Sequence, residues 1–220
     1  MFRLHHRLHN TIFIIALAVF LITPASHSQG SNKDTTTAGT RSLFDGKTLD
    51  DWEVTDFGTQ GPVHVKDGAI ILGTGDGCTG IRYKKEVPKI DYEVTLDAKR
   101  VDGYDFFCGL TFPVRDEFCT LIIGGWGGTV VGLSSIDGLD ASENAWSTYK
   151  KFTNNRWYHI RLRVTGENIT AWIDDYKVVN LDVEDHKFSV RPEVVLSQPF
   201  GIASWKTTAA LKNIYIKTLK

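Results

Sequence analysis

Alternation of apolar and polar residues with a period of two recurs along the chain and is the feature that most constrains its fold. In WYHIRLRVT, residues 157–165, every even position from Tyr158 to Val164 is apolar, and the positions between carry His or Arg. A side-chain period of two is that of a β-strand with one buried face. No stretch of twelve residues keeps a helical period. The pattern therefore predicts an all-β fold.

Turn signals divide the chain into short strands. Asp67-Gly68 separates two apolar runs and predicts a tight hairpin, because both residue types tolerate positive φ. The tripeptide GEN and the pair Asp174-Asp175 split residues 157–182 into a three-stranded meander. At least ten strands follow from such signals, and no repeat of 20–50 residues indicates a propeller. We therefore expect an antiparallel β-sandwich of two packed sheets rather than a barrel.

The amino-terminal segment has the layout of a secretory signal peptide. Arg3 and Arg7 precede the apolar run TIFIIALAVFLI, and small polar residues follow it. The alternative is a membrane anchor, but a run of about a dozen residues falls short of the ~20 that span a bilayer. We therefore predict a signal peptide over residues 1–28, a disordered lead-in over 29–41 and a domain over 42–220. The mature protein is expected to be secreted or periplasmic, without a stable membrane anchor.

Charge and motifs exclude several functions. The 25 basic and 26 acidic residues nearly balance, so no nucleic-acid partner is expected. GGWGGTVVG, residues 124–132, lacks the lysine of a phosphate-binding loop, and the chain has no nucleophile elbow or zinc motif. His5, His6 and His9 resemble a metal cluster but lie in the predicted signal peptide. The sequence thus requires no cofactor, although a divalent metal is possible.

Three cysteines permit at most one disulfide in an exported protein. Cys108 and Cys119 flank a hairpin around PVRDE, residues 113–117. A tight turn at Pro113-Val114 would place the cysteines opposite one another, whereas a turn through Asp116 would place them on opposite faces. We expect the second turn and free thiols.

The glycines around Trp126 suggest a ligand surface. They strip side chains from one patch of sheet, on which the exposed indole would stack against a sugar ring. The alternative is that Trp126 belongs to the core and the glycines make room for it. We assign Trp52, Trp157 and Trp172 to the core. The polar loop SSIDGLDASEN, residues 134–144, follows and supplies partners for hydroxyl groups.

The beginning and end of the predicted domain, SLFDGKTLDDWEV and FGIASWKTTAALKNIYIKTL, resemble the bacterial 3-keto-disaccharide hydrolase-like domain family over residues 42–220. The resemblance implies a concanavalin A-like, laminin G-like jelly roll that hydrolyses or eliminates 3-keto-glycosides. The C3 ketone acidifies the C2 hydrogen, and a base removes it before the anomeric group leaves. Many family members have Asn-Ser-Gly where this chain has Phe107-Cys108-Gly109. That departure keeps open an alternative, a non-catalytic carbohydrate-binding or interaction module.

A base for this chemistry must lie within hydrogen-bond reach of the substrate. We rank Glu143 first because it lies in a long polar loop that no strand pattern explains. The remaining candidate catalytic residues are Asp105 and Asp137. The candidate substrate-binding residues are Trp126, Arg115, Asp116, Asn144, Ser134 and Ser135. Arg115 and Asp116 are expected at the rim of the same site, where arginine would stabilise a developing negative oxygen.

Overall fold

The computed structural model describes Met1 and residues 39–220, and its secondary structure is almost entirely β-strand. The strands are β1 (Thr40–Ser42), β2 (Trp52–Val54), β3 (Val63–Lys66), β4 (Ala69–Leu72), β5 (Cys78–Tyr83), β6 (Tyr92–Asp102), β7 (Cys108–Val114), β8 (Glu117–Gly125), β9 (Val130–Ser134), β10 (Ser147–Tyr149), β11 (Tyr158–Val164), β12 (Asn168–Ile173), β13 (Tyr176–Asp182), β14 (Gly201–Trp205) and β15 (Thr208–Thr218). A 3-10 helix, Pro192–Ser197, lies between β13 and β14.

The strands form two antiparallel sheets, which confirms the predicted sandwich. Sheet A has the order β13-β12-β11-β6-β15-β4-β3, with β1 also paired to β15. Sheet B has the order β10-β9-β8-β7-β14-β5-β2. The predicted hairpin at Asp67-Gly68 joins β3 and β4, and the predicted meander is β11–β12–β13.

The main core lies between the two sheets. Along β6 the burial alternates strictly, and Tyr92, Val94, Leu96 and Ala98 are fully buried. The Tyr92 hydroxyl donates to the Pro113 carbonyl oxygen at 2.7 Å, so the polar tip of this buried ring is satisfied. Each fully buried large apolar side chain contributes about 1.5–3 kcal/mol to folding.

Sheet B is buried on its outer face as well. Every residue of β7 and of β9 is buried. The cover is the segment between β13 and β14, in which Val194 of the 3-10 helix packs with Cys78 and Ala203 in a second, smaller core. Arg191, Glu193 and Val194 of this segment border a cavity together with residues of β8 and β9.

Two of the three tryptophans assigned to the core lie elsewhere. Trp52 is buried, at 2% exposure, as expected. Trp157 and Trp172 are half-buried on the outer face of sheet A. The Lys212 ammonium lies 4.3 Å from the Trp157 ring centroid, and the Arg161 guanidinium lies 3.8 Å from that of Trp172. Cation–π contacts thus cover these indoles in place of the core.

The cysteines are free, as expected, although the geometric reason differs from the predicted one. The β7–β8 turn passes through Arg115 and Asp116, and Cys108 opposes Ile123 while Cys119 opposes Phe112. Both thiols therefore point to the same face, and the expectation of opposite faces is wrong. They lie four positions apart along the ladder, roughly 14 Å, beyond the Cα separation of ~6 Å that a disulfide needs.

Apart from Met1, the predicted signal peptide falls in residues 2–38, outside the described residues, as do most of the lead-in and the three amino-terminal histidines. Strand β1 begins at Thr40, two residues before the predicted start of the domain. Within the described part of the chain, no helix has the length and apolar character needed to cross a bilayer.

Candidate functional site

A cavity of about 240 Å³ opens on the outer face of sheet B, beside the edge of the segment that covers it. Its floor is formed by Thr120 and Ile122 of β8 and by Ser134 of β9. The residues between these floor positions, such as Leu121 and Leu133, point inward and belong to the main core. The period of two thus sends an apolar set to the core and a partly polar set to the cavity.

Three aromatic side chains form the walls. Trp126, Trp205 and Phe106 line the cavity, and Trp126 remains 39% exposed. The core alternative for Trp126 is therefore wrong. Its backbone has a positive φ of 48° within the β8–β9 turn. The Gly125 carbonyl oxygen accepts hydrogen bonds from the N–H groups of Gly128 and Thr129, both at 3.1 Å.

The flanking glycines serve the turn rather than a flat sheet surface. Gly128 has a φ of 101°, and a Cβ there would collide with the Tyr104 carbonyl oxygen and lie 2.7 Å from Nη1 of Arg100. Gly127 has a φ of 82° with open space around it. The tight turn lifts the indole out of the sheet and holds it at the cavity wall.

Asp105 lies at the cavity and holds the same turn. Its Oδ1 accepts a hydrogen bond from the Phe106 N–H at 2.7 Å, and its Oδ2 accepts one from the Gly127 N–H at 3.1 Å. The Asp105 N–H donates to the Thr207 hydroxyl at 3.1 Å, which fixes the backbone. A carboxylate has about four lone-pair positions, so Asp105 keeps acceptor capacity toward the cavity.

Arg191 and Glu193 line the side of the cavity that the 3-10 helix forms. Arg191 donates from Nε to Oε2 of Glu193 at 3.2 Å and from Nη2 to Oε1 at 2.9 Å. It also donates from Nη1 to Oδ2 of Asp140. Its guanidinium carbon lies 5.8 Å from the Trp126 ring centroid. The hydrogen bonds from Arg191 lower the pKa of Glu193, so this carboxylate is a weak proton acceptor.

The predicted loop residues mostly stabilise the loop itself. Asn144 is buried and its amide donates to three backbone carbonyls, those of Leu133, Leu139 and Asp140. Glu143 is exposed and outside the cavity lining, and its Oε2 accepts a hydrogen bond from the Asp140 N–H at 3.4 Å. The prediction that Glu143 is the first candidate for the base is not supported, because the side chain lies outside the cavity lining. The loop instead presents Asp140 to Arg191.

Asp137 likewise has a structural environment. Its Oδ1 accepts the Lys187 N–H at 2.9 Å and its Oδ2 lies 2.6 Å from Nδ1 of His186. The Lys187 hydrogen bond and the His186 contact lower the pKa of Asp137. Asp137 therefore joins the loop to the segment after β13 and does not line the cavity.

The remaining predicted residues divide between the cavity and distant positions. Ser134 lines the cavity, whereas Ser135 is buried outside its lining and pairs through its backbone with Ser189. Arg115 and Asp116 lie at the end of β8 opposite Trp126, where Arg115 donates to the Gly166 carbonyl oxygen and Asp116 pairs with Lys89. A nine-residue strand separates the two ends by roughly 30 Å. The expectation of a shared rim is therefore wrong.

Sequence reasoning missed seven of the ten residues that line the cavity. The missed residues are Phe106, Thr120, Ile122, Arg191, Glu193, Val194 and Trp205. Arg191-Pro192-Glu193 lies in a segment without strand periodicity, and an arginine and a glutamate around a proline in such a segment were the available signal. Thr120 was the one hydroxyl in the otherwise apolar run FCTLII. Among the described residues, no group of three or more His, Cys, Asp or Glu side chains is placed to hold a metal ion.

Comparisons with known proteins agree with this architecture. A family model described as the 3-keto-alpha-glucoside-1,2-lyase-like domain matches residues 39–217. The structure is similar to the carbohydrate binding module CBM66 from Bacillus subtilis, with 16% identity, 76% of this chain and 96% of that chain covered, and a TM-score of 0.52. It is also similar to the Crh5 transglycosylase in complex with NAG, with 17% identity, coverages of 83% and 85%, and a TM-score of 0.58.

A third similar structure is a prokaryotic beta-1,3-1,4-glucanase (lichenase) derived from a mouse hindgut metagenome, with 10% identity, coverages of 82% and 98%, and a TM-score of 0.52. At these identities the likenesses establish the fold. No curated protein matches the chain significantly.

Proposed function

The chain belongs to the 3-keto-alpha-glucoside-1,2-lyase-like domain family, which is a carbohydrate-related family. We propose that the cavity, which forms an open cleft, binds a 3-keto-glycoside, and that the protein eliminates the anomeric substituent or hydrolyses its bond to C1. The observation that carries the proposal is the composition of the cavity, which combines two tryptophans, one carboxylate with free acceptor capacity and one guanidinium. An aromatic wall with a few converging polar groups is typical of sites that bind small polar ligands.

The size and walls of the cavity favour a single sugar ring. Its volume of about 240 Å³ is small beside the ~300–1,000 Å³ of pockets for drug-sized ligands. Trp126 and Trp205 offer rigid apolar surfaces against which the C–H face of a pyranose stacks. The rest of a disaccharide would extend through the open side of the cleft, beyond Trp126.

The proposed reaction begins with proton transfer from C2 of the sugar to the Asp105 carboxylate. The electrons of the C2–H bond form an enolate whose negative charge lies on the C3 oxygen. The enolate then restores the C3 carbonyl, forms a C1–C2 double bond and expels the anomeric oxygen, which takes up a proton. Addition of water to that double bond completes the hydrolysis. Of the two carboxylates at the cavity, we assign the base to Asp105, because the hydrogen bonds from Arg191 lower the pKa of Glu193.

Arg191 supplies hydrogen-bond donors for the enolate oxygen. A guanidinium has five N–H donors, and three of those of Arg191 are used for Glu193 and Asp140. Two donors remain, and the same contacts that occupy the others fix the orientation of the group. Preorganised donors aimed at a developing charge are a major source of rate enhancement.

A second candidate function, carbohydrate binding without catalysis, is favoured by a specific observation. Both oxygens of Asp105 already accept backbone hydrogen bonds, and both oxygens of Glu193 are held by Arg191. Phe107 and Cys108, which replace the polar pair of many relatives, are fully buried in the core. In this alternative the carboxylates shape the cleft and bind hydroxyl groups.

Asp105→Asn tests the catalytic proposal. With p-nitrophenyl 3-keto-α-glucoside, the wild-type protein should release p-nitrophenol, and the variant should lose about 10²–10⁴-fold in kcat because general-base catalysis typically contributes that factor. Glu143→Gln, a carboxylate outside the cavity, is the matched control and should keep full activity. Melting temperatures of all three proteins identify any unfolded variant.

The outcome that contradicts catalysis is absence of release by the wild-type protein, measured with and without added divalent metal. If the wild-type protein then still binds the sugar in a calorimetric titration, the binding-module function is supported instead. Unchanged kcat in Asp105→Asn would remove Asp105 as the base.

We also propose that the protein is exported, on the basis of the charged, apolar and small-residue regions at the amino terminus. The expected result is a mature protein whose first residue lies between Ala25 and Gly30, measured by intact mass spectrometry of the protein from its native host. A full-length species retained in membranes would contradict this proposal.

A further inference from the structure

Ser134 has an unusual environment at the floor of the cavity. It is 1% exposed, and its Oγ has no hydrogen-bond partner. Elsewhere in sheet B, buried Ser204 shows the ordinary arrangement, in which Oγ donates to the Thr207 carbonyl oxygen at 2.8 Å. Of the side-chain atoms in residues 39–220 that are buried without a partner, that of Ser134 is the one in the cavity lining. Buried hydroxyls without partners are rare because desolvation is costly.

The neighbouring hydroxyls make no hydrogen bond to Ser134. Thr111, Thr120 and Ser134 occupy directly opposed positions on β7, β8 and β9, so their side chains form one row on the outer face of sheet B. Thr111 and Thr120 bond to each other through their hydroxyls at 3.0 Å. Ser134 is the end of this row at the cavity, and its hydroxyl has one donor and two acceptor positions unused.

We propose that Ser134 is the specificity-determining residue of the cleft. Its hydroxyl binds the one sugar hydroxyl or carbonyl oxygen that reaches the floor of the cavity. This inference rests on the proposed sugar binding but not on the proposed elimination. A ligand oxygen at the floor would replace the water that Ser134 loses on folding. An analogue that lacks this oxygen would leave the hydroxyl buried and unpaired, which is how a site discriminates against deoxy compounds.

The charges around the floor favour a neutral ligand. The Arg191 guanidinium is matched by two carboxylates, those of Asp140 and Glu193. Asp105 adds another negative charge to the lining. A phosphorylated sugar or a uronic acid would therefore meet net negative charge, whereas a neutral hydroxyl or carbonyl oxygen can bond to Ser134 without repulsion.

The test combines two serine variants with a deoxy series. The probes are methyl α-D-glucopyranoside, its four monodeoxy derivatives, methyl 3-keto-α-D-glucopyranoside and methyl α-D-glucuronide, titrated calorimetrically into the full chain. For the wild-type protein, one monodeoxy probe should bind roughly two- to tenfold more weakly than the parent, as expected for one neutral hydrogen bond. Ser134→Ala should bind that probe and the parent equally, and Ser135→Ala should behave as wild type.

Thermal stability separates a binding role from a structural one. Removing an unpaired buried hydroxyl should leave the melting temperature of Ser134→Ala unchanged or higher, whereas removal of a structural hydrogen bond would lower it. If Ser134→Ala does not fold, Ser134→Cys keeps the shape of the side chain with a slightly larger and weaker donor, and should also lose the discrimination.

Each outcome is decisive. Equal binding of every deoxy probe and the parent by the wild-type protein, or unchanged discrimination in Ser134→Ala, would overturn the inference. Failure of both parent sugars to bind the wild-type protein would overturn it together with the proposed function. Selective binding without release of the aglycone would end the elimination proposal and leave the role of Ser134 standing. Binding of the glucuronide as tight as that of the parent would overturn the neutral-ligand assignment.

Discussion

At the scale of single residues, Trp126 shows why the largest side chain of the chain stands among glycines. The indole lies at the cavity wall because the β8–β9 turn gives it a positive φ of 48°. Asp105 holds that turn through the Gly127 N–H, and the Tyr104 carbonyl oxygen approaches Gly128 too closely for any Cβ. Trp126, which forms a wall of the cavity, and the carboxylate of Asp105 are therefore positioned by the same β8–β9 turn. A change in this turn should displace both side chains.

Two neighbouring glycines provide a matched pair for testing this unit. Gly127→Ala adds a Cβ in open space, so only the positive φ opposes it, at about 1–2 kcal/mol. Gly128→Ala adds the same strain and a collision with the Tyr104 carbonyl oxygen, so we expect about 2–5 kcal/mol in total. Urea unfolding followed by tryptophan fluorescence measures both values. Equal destabilisation by the two substitutions would show that the turn has room at Gly128.

At the scale of elements, the strands and turns that are determined by residues close together in the sequence could be predicted. The hairpin at Asp67-Gly68 and the β11–β12–β13 meander followed from period-two alternation and from turn residues that tolerate positive φ. The shared face of Cys108 and Cys119 was missed although the turn was placed correctly, because the face depends on counting register from that turn.

The position of the covering segment between β13 and β14 was also beyond sequence reasoning, and with it three of the ten residues that line the cavity, Arg191, Glu193 and Val194. This segment has no periodicity, and its position over sheet B depends on contacts distant in sequence, such as Arg191 with Asp140 and Val194 with Cys78. Local patterns carry no information on such contacts. Ser134 was predicted as a site residue from the polarity of its loop, but its burial and its unpaired hydroxyl follow only from the packed structure.

At the scale of the whole molecule, the structure has two apolar cores, one enclosed between the sheets and a smaller one covered by a single segment of the chain. The main core between the sheets contains Cys108 and Cys119. The smaller core, on the outer face of sheet B, contains Cys78 beneath the 3-10 helix. Burial raises the pKa of each of the three thiols to about 12. Since the thiolate is the reactive form, the native protein should react negligibly with a thiol reagent at pH ~8.

The two cores should open in sequence, and the thiols report which one has opened. Detachment of the covering segment exposes Cys78 and disrupts the wall that carries Arg191, whereas exposure of Cys108 and Cys119 requires separation of the sheets. In rising urea we therefore expect Cys78 to react with 5,5′-dithiobis(2-nitrobenzoic acid) first, located by peptide mapping, and a bound sugar to slow that reaction alone. Cys78→Ala should remove the early phase and keep the late one. Simultaneous reaction of all three thiols would instead mean that the covering segment and the sandwich unfold as one cooperative unit, and that the cleft is as stable as the fold that supports it.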